Sequence, residues 1–381
     1  MALTALGIAA CKVGPDFSNL TFNFGPNAGP SAPPCDPTKS CCDCCAAPAV
    51  GTDAGLIPQR PGGPAAPASN GPTVFAVSRF YFGDTDRSGK ASTDAWAKLG
   101  LNIDGKTTSE LSNDTCKLVT GAPCATQLDG DNGIDNSFGA NLMPIIGVFN
   151  ATYSAYANRA IQKGGPTLLI ELDGLGPDAD YAPQAGALYR ATAVQNPMWD
   201  GRDVRNFDPA SLVTGDISRP AAVFFNGFMR DRTWVGVPPA AGAAYLDLQI
   251  TAGGHLLPPV PLQHVEIVMP VAPDGRTVTN GVLSGVIRTS DAVAWTTLWA
   301  NGIDTWSCGG GAVESLTAQI AQASDIMSDG SGGVGHTCDG ISVGLGFDAV
   351  AVRLGQAEST QPFSDPCADG GLDATDVDTG D

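Results

Sequence analysis

The chain has 381 residues, of which 43% are hydrophobic, and this is enough for one large domain or two ordinary domains with a sizeable core. Its formal net charge of −19 at pH 7 argues against nucleic-acid binding, which needs a basic face, and against a polybasic attachment to anionic lipid. Only 15% of the residues are charged, whereas 48 are glycine and 29 are proline, and this composition favours short strands joined by turns over a helical bundle.

The eleven cysteines indicate an oxidising compartment, because a reducing cytosol rarely keeps so many without a metal cluster or a redox motif. The odd count leaves one cysteine over, and Cys11 is the best candidate. Residues 8–11, Ile-Ala-Ala-Cys, resemble a bacterial lipobox, in which the peptide is cut before a cysteine that then carries lipid. Only ten residues precede Cys11 and none is basic, so either the true start lies upstream or the match is accidental. We predict a truncated signal peptide at 1–11 and lipidation of Cys11.

Residues 12–71 are rich in Pro, Gly, Ala, Ser and Asn and lack hydrophobic periodicity, which predicts a disordered tether. Five cysteines interrupt it, at position 35 and at positions 41, 42, 44 and 45. A thiolate metal site is one interpretation, but structural zinc sites usually space their paired cysteines by about two to four residues. Disulfides are therefore the favoured interpretation for an exported chain.

A loop that begins D-x-D-x-S-G, with Asp84 and Asp86, starts like a calcium-binding EF-hand loop. The match fails at the twelfth position, where Ala95 replaces the bidentate glutamate. The favoured interpretation is an Asx-rich turn that precedes a short helix, with Ser92 or Thr93 as its N-cap.

Periodicity and turn residues predict a mainly β fold with inserted helices (α+β), in which a β-sandwich or jelly-roll core follows a small helical segment with Asp-rich loops. The helical segment spans 72–163, the core domain spans 164–356, and an acidic tail spans 357–381. Strands are predicted at 73–82, 167–172, 187–194, 221–228, 244–250, 264–270 and 281–288, with a closing strand pair at 341–354. Helices are predicted at 95–99, 137–149, 151–163, 290–299 and 311–327.

The densest set of hard oxygen donors in the chain predicts a Ca²⁺ site. Calcium takes about six to eight oxygen ligands, and Gly130 and Gly133 permit positive φ, which lets main-chain carbonyls turn inward. Three carboxylates packed so closely repel one another unless a cation or water intervenes, although a solvated acidic turn is the alternative. A second acidic loop would approach the same ion or hold another. The predicted ligands are Asp129, Asp131, Asn132, Asp135 and Asn136, with Asp84 and Asp86 from the second loop.

Two further cysteine pairs are candidate disulfides, although connectivity does not follow from a sequence. A bond between Cys116 and Cys124 would close a small ring beside the Asp-rich loop. A bond between Cys308 and Cys338 would pin the helix at 311–327 to the sheet.

Hydrolase chemistry has weak support in the sequence. There are only three histidines, and no G-x-S-x-G motif occurs. His264-Val265-Glu266 mimics the H-x-E of zinc deaminases, but no P-C-x-x-C follows, and a structural strand is the favoured interpretation. A glycosidase needs two carboxylates at a cleft, and no pair stands out among the acidic residues considered. Those residues are Glu171, Asp173, Asp178, Asp180, Glu266 and Glu314.

Two segments of the chain have a distinctive pattern of glycine and aspartate: 83–89 with Trp96, Gly100, Asp104 and Gly105, and 129–139 with 144–146. These segments resemble a group of exported proteins from myxobacteria and their relatives. The resemblance covers residues 75–150 best and the remainder loosely. It implies an exported and often lipidated protein, and it carries no known activity.

Together these features predict an exported, lipid-anchored surface protein, stabilised by Ca²⁺ and disulfides, at the outer membrane or secreted. It would act as a binding or structural module, with a glycan or an envelope protein as partner, and no apolar run is long enough to cross a bilayer. The alternative is a secreted hydrolase that cleaves polysaccharide or ester substrates through a carboxylate pair. Tryptophan faces stack on sugars, so five tryptophans are candidate platforms, although most are expected in the core: Trp199, Trp234, Trp295, Trp299 and Trp306.

Overall fold

The computed structural model describes most of the chain from residue 57 to residue 368. The described residues are 57–62, 71–109, 112–149, 153–176, 178–213, 215–216, 220–237, 244–246, 248, 251–252, 255–303, 311–359, 365 and 367–368. The predictions for Cys11, for the cysteines at 35–45, for Cys308, for Trp306 and for the tail beyond residue 368 lie outside this set.

The described residues contain thirteen strands and four α-helices. The strands are β1 (Thr73–Tyr81), β2 (Thr167–Leu172), β3 (Gly186–Ala191), β4 (Val204–Phe207), β5 (Ala222–Phe224), β6 (Phe228–Arg230), β7 (Thr233–Gly236), β8 (Ala244–Leu246), β9 (Thr251–Ala252), β10 (His255–Leu256), β11 (Val260–Pro270), β12 (Thr277–Arg288) and β13 (Gly340–Ala357). The helices are α1 (Met143–Phe149), α2 (Tyr153–Gln162), α3 (Thr289–Ile303) and α4 (Gly311–Gln322). Short 3₁₀ helices lie at Ala95–Lys98, Cys124–Gln127 and Pro209–Ser211, and a π-helical turn at Phe138–Leu142 leads into α1.

Eleven of the strands form one mixed sheet in the order β1-β2-β3-β4-β13-β12-β11-β7-β6, with β5 beside β3 and β8 beside β11. The pairings are antiparallel except the one between β4 and β13, which is parallel. Because β1 pairs with both β2 and β13, the strands β1, β2, β3, β4 and β13 close on themselves. We call these five strands the closed circuit. The predicted fold class, mainly β with inserted helices, is confirmed.

Two apolar cores lie on the two faces of this sheet. The larger core packs side chains of all four helices against the sheet, and it contains Phe75, Trp234 and Phe347, each 0% exposed. The smaller core takes side chains from every strand of the closed circuit. Its members are Val74, Ala76, Leu169, Ala187, Tyr189, Ala191, Phe207, Leu212 and Val352. Alternate residues of one strand therefore serve different cores, as the period-2 pattern of β-strands requires.

β13 is the longest strand and the centre of the sheet. Its alternate residues from Ile341 to Ala349 are buried in the larger core. On its other face Gly344 lies under the main chain of Leu99, and a Cβ there would collide with the Leu99 carbonyl oxygen. The alternation continues without a turn through 18 residues, so the predicted strand pair at 341–354 is wrong and a single strand takes its place.

Other boundaries differ from the sequence prediction for local reasons. The helix at Ala95–Lys98 has Asp94 at its N-cap, so the predicted caps Ser92 and Thr93 are wrong; the Ser92 hydroxyl instead donates to Asp94 Oδ1 at 2.6 Å. The predicted strand at 221–228 is divided into β5 and β6 by a turn.

Part of the predicted tether lies against the folded domain. Ile57 packs on a small apolar cluster that includes Phe228. Arg60 Nη1 donates to the main-chain carbonyl of Asn226 at 3.2 Å. Among the described residues, no helix is both long enough and apolar enough to cross a membrane.

Candidate functional site: a carboxyl cluster at the edge of β13

The N-terminal half of β13 has one edge that none of the described strands covers, because β1 pairs with β13 only from Gly346 onward. Two side chains, instead of a strand, accept hydrogen bonds from the main-chain N–H groups at this edge. Asp325, which follows α4, accepts from the Ser342 main-chain N–H at 2.8 Å and from its hydroxyl at 2.5 Å. Asn136 Oδ1 accepts from the Gly344 N–H at 2.9 Å. Buried main-chain donors need acceptors, so these two polar residues complete the sheet at its edge.

The Asp-rich loop packs against the same place. Its Asp135 carboxylate is 4% exposed, and Oδ2 accepts from the main-chain N–H groups of Ile103 at 2.6 Å and Asp104 at 3.3 Å. Asp129 Oδ2 accepts from the Thr108 N–H at 2.5 Å. The segment 101–109 therefore wraps around the loop and donates its main-chain hydrogens to the loop carboxylates.

These contacts bring together four carboxyl groups from three separate parts of the chain. We call Asp104, Asp129, Asp135 and Asp325 the carboxyl cluster. Burial raises the pKa of Asp129 to about 8, and repulsion from Asp104 and Asp325 adds to the rise. Burial also raises the pKa of Asp325, to about 7, against the opposing effect of the bonds from Ser342.

The other two members of the cluster, Asp135 and Asp104, also have raised pKa values. Burial raises the pKa of Asp135 well above its ordinary value, and the three neighbouring aspartates raise it further. Burial raises the pKa of Asp104 against the opposing effects of Lys106. Because the pKa values of Asp129 and Asp325 are raised to about 8 and about 7, these two members of the cluster retain protons near neutral pH.

The remaining predicted ligands of this loop do not join the cluster. Asp131 is exposed, and its main-chain N–H donates to the Ala97 carbonyl at 2.7 Å. Asn132 occupies the left-handed region at φ 58° and forms the turn with Gly133. Asn136 is 2% exposed, and its amide nitrogen donates to the Trp96 and Leu99 carbonyls, so this side chain is committed to structural hydrogen bonds.

The second acidic loop lies elsewhere and has structural roles. Asp84 accepts from the main-chain N–H and the hydroxyl of Ser154, at the start of α2. Asp86 Oδ1 accepts from Ser88 and from the Lys90 N–H, which is the Asx-rich turn that the sequence favoured. Neither residue contributes to the carboxyl cluster.

The oxygen donors of the carboxyl cluster are of the kind that binds a hard cation, but their side chains are not arranged around a common point where an ion would lie. Carboxylate oxygens are the ligands that Ca²⁺ prefers. Within the described residues, however, no three acidic, histidine or cysteine side chains are arranged as a preformed metal site. Sequence reasoning missed Asp104 and Asp325, because nothing local marks them as neighbours of a loop that lies far away in the chain.

A disulfide lies next to the cluster and joins Cys116 to Cys338, with a Cα–Cα distance of 5.2 Å. Gln127 Nε2 donates to the Cys116 carbonyl at 2.8 Å and to the Asp325 carbonyl at 3.4 Å, which links the disulfide to the cluster. Both cysteines were predicted to form disulfides, but the predicted pairings, Cys116 with Cys124 and Cys308 with Cys338, are wrong. Cys124 begins a 3₁₀ helix, and Cys367 is also disulfide-bonded.

The remaining acidic candidates are spread over the molecule. Glu171 in β2 has its pKa raised by burial and then by Asp173. Glu266 in β11 is 7% exposed, whereas Glu314 in α4 and Asp180 are exposed.

The candidate tryptophan platforms are mostly core residues. Trp234, Trp295 and Trp299 are between 0% and 8% exposed and pack in the larger core. Trp199 alone among the described candidates is partly exposed.

Comparison with known proteins adds no relative, since no family model, no curated protein and no solved structure matches the chain. The resemblance to exported myxobacterial proteins therefore stays a prediction.

Proposed function

We propose that this chain is an exported, disulfide-stabilised, mainly β protein that acts as a binding or structural module at the bacterial surface, anchored by lipid on Cys11. The single observation that supports export best is the Cys116–Cys338 disulfide. Disulfides of this kind persist in oxidising compartments and are rare in the cytosol. The partner would be a glycan or another envelope protein, and the acidic chain disfavours nucleic acid.

Thiol mapping tests the proposal of export. In protein isolated from the cell envelope and unfolded in denaturant, we expect Cys116 and Cys338 to resist alkylation until a reductant is added, as measured by mass spectrometry of peptides. The denaturant is needed because both cysteines are 3% exposed in the folded chain, where burial alone would protect a thiol. The control variant Cys338→Ser should leave Cys116 open to alkylation without reductant. Alkylation of both cysteines in the unreduced envelope protein would contradict the proposal, and palmitate labelling of wild type against Cys11→Ser tests the anchor.

A bound Ca²⁺ is a second part of the proposed function. Asp104, Asp129 and Asp135 would hold it, each through the one oxygen that does not accept a main-chain hydrogen bond. Asp325, whose two oxygens both accept from Ser342, would have to exchange one of these bonds for the ion. The support is a group of four neighbouring carboxyl groups, one buried and three partly buried, whose pKa values all rise, because such a group of acids gains stability when a cation replaces its protons.

Thermal unfolding with and without a chelator tests the calcium proposal. At pH 8, where protons compete least, we expect added Ca²⁺ to raise the Tm and EGTA to lower it, because the ion binds only the folded cluster. The effect should disappear in Asp129→Asn and persist in Asp86→Asn, which changes an acidic residue of the other loop. Identical melting curves of the wild type with Ca²⁺ and with EGTA would remove calcium from the proposal.

The hydrolase alternative keeps one specific observation in its favour. A general acid needs a raised pKa, and Asp129 has a pKa of about 8 beside other carboxyl groups. Asp135, its nearest partner in the loop, is 4% exposed and committed to main-chain hydrogen bonds. The non-enzymatic module is therefore the better-supported function.

A further inference from the structure

Arg205 in β4 is a buried guanidinium group without a carboxylate bound to it. The side chain is 0% exposed and lies on the same face of β4 as Phe207 of the smaller core. Nη2 donates to the Gly165 carbonyl at 2.9 Å, whereas Nε and Nη1 are buried and find no acceptor among the described residues. Burial lowers the pKa of Arg205 to about 10, so the group still carries its charge at neutral pH.

The nearest acid is already used for other contacts. Asp203 opposes the pKa shift of Arg205, but its two oxygens accept from the main-chain N–H groups of Met198 at 3.0 Å and Trp199 at 2.7 Å. The positive charge of the Arg205 guanidinium is therefore only partly compensated, and an uncompensated charge is costly to bury.

Trp199 covers this guanidinium and is held in an unusual conformation. The Arg205 carbon Cζ lies 5.5 Å from the centre of the Trp199 ring, and the indole N–H donates to the Gln162 carbonyl at 3.3 Å. The residue has φ of 53°, in the left-handed region that bulky residues rarely adopt. Strain of this kind persists only where surrounding contacts enforce it, and it is concentrated at functional sites.

Two exposed arginines lie on or beside the loop that carries Trp199. Arg353, an exposed residue of β13, donates from Nη2 to the main-chain carbonyl of Arg202 at 3.1 Å, which brings this part of β13 against the loop that carries Arg202 and Trp199. Beside them Met198 is 75% exposed. At the surface Arg202 and Arg353 offset Asp200 and Asp203, and the buried Arg205 leaves one excess positive charge in this part of a chain whose net charge is −19.

We propose that Trp199, Arg202 and Arg353, with Arg205 behind them, form a binding site for an acidic polysaccharide. We call these residues the Trp199 site. Trp199 packs partly against both cores, so the sugar ring stacks on the part of the indole that remains exposed, and its carboxylate pairs with the two exposed arginines. Arg205 holds the indole in place from behind and adds positive potential. This inference rests on the proposed function as a surface binding module, and it names the ligand class as a uronic-acid glycan.

Calorimetric titration of the full chain with tetragalacturonate, and with maltotetraose as the neutral counterpart, tests this site. We expect binding of the acidic sugar only, weakened by added NaCl because exposed charges are screened. Trp199→Ala should weaken binding about tenfold through loss of stacking. Arg202→Ala combined with Arg353→Ala changes only exposed side chains and should weaken it by a similar factor.

Phe225→Ala is the matched control, because Phe225 is another exposed aromatic residue, 70% accessible, in the turn between β5 and β6. Its affinity should equal that of the wild type, and the melting temperature of each variant shows whether it is folded. Equal binding of the neutral sugar, absence of binding, or unchanged affinity in the double arginine variant would overturn the Trp199 site. Any of these results would leave the thiol map, and with it the proposal of export, unaffected.

Discussion

Glu266 is a single residue whose environment makes it sensitive to pH. It lies in β11 directly opposite Ser284 of β12, and the two side chains are 7% and 0% exposed. Glu266 Oε2 and Ser284 Oγ are both buried and have no hydrogen-bond partner among the described residues. Burial is the sole cause that raises the pKa of Glu266, to about 7. The sequence placed this acid in apolar surroundings but gave no sign of what lies opposite.

Glu266→Gln is expected to weaken the pH dependence of stability. The folded-state pKa of Glu266 is raised above its unfolded value, so the folded chain holds the proton more tightly. Its contribution is complete below about pH 4.5 and is lost as the pH rises to about 7, with a maximum near 3 kcal/mol. Urea unfolding at pH 5 and pH 8 measures this, and the fall in free energy of unfolding should be smaller in the variant.

The matched control is Glu314→Gln, which changes an exposed glutamate on α4. The free energy of unfolding of this variant should fall between pH 5 and pH 8 by the same amount as that of the wild type. If the free energy of unfolding of Glu266→Gln fell by as much between pH 5 and pH 8 as that of the wild type, Glu266 would ionise freely in the folded chain.

At the scale of elements, the sequence predicted those strands and helices that hydrophobic periodicity and residue composition mark. The predicted bounds of β2, 167–172, agree with the structure because a continuous apolar run marks a strand buried on both faces. The helix predicted at 311–327 ends at Gln322, since the next residues bind the edge of β13: the Asp325 N–H donates to the Gly340 carbonyl at 3.1 Å. β4 was missed because a four-residue strand that contains Arg205 and Asn206 shows no apolar alternation.

The disulfide allows a prediction at this scale, because it joins Cys116, between Asp104 and Asp129 in the chain, to Cys338, which lies just before β13. It closes a chain segment of 222 residues, and native disulfides of this kind contribute about 2–5 kcal/mol. We expect Cys338→Ser to lower the free energy of unfolding by about that amount in denaturant titrations. The variant with both Cys116→Ser and Cys338→Ser should lose no more than the single variant, and a larger loss would mean that the cysteines stabilise the fold separately.

At the scale of the whole molecule, repulsion among the many negative charges opposes the compact folded state. The chain carries −19, yet the carboxyl cluster places four acids together next to the disulfide. Their raised pKa values and that of Glu266 act in the same direction, so in the absence of a bound cation the folded state is favoured by mild acid. A divalent cation and protons would therefore compete for the same oxygens.

The sequence by itself determined the fold class, the short strands and the acidic loop, because local periodicity and composition record which side chains are buried. It also brought Asp129 and Asp135 together, since they are close in the chain. The tertiary structure alone decided that Asp104 and Asp325 join them, that Cys116 pairs with Cys338, and that Trp199 covers Arg205. These contacts depend on how the sheet closes and on which main-chain donors at its edge need an acceptor, and no short stretch of sequence contains that information.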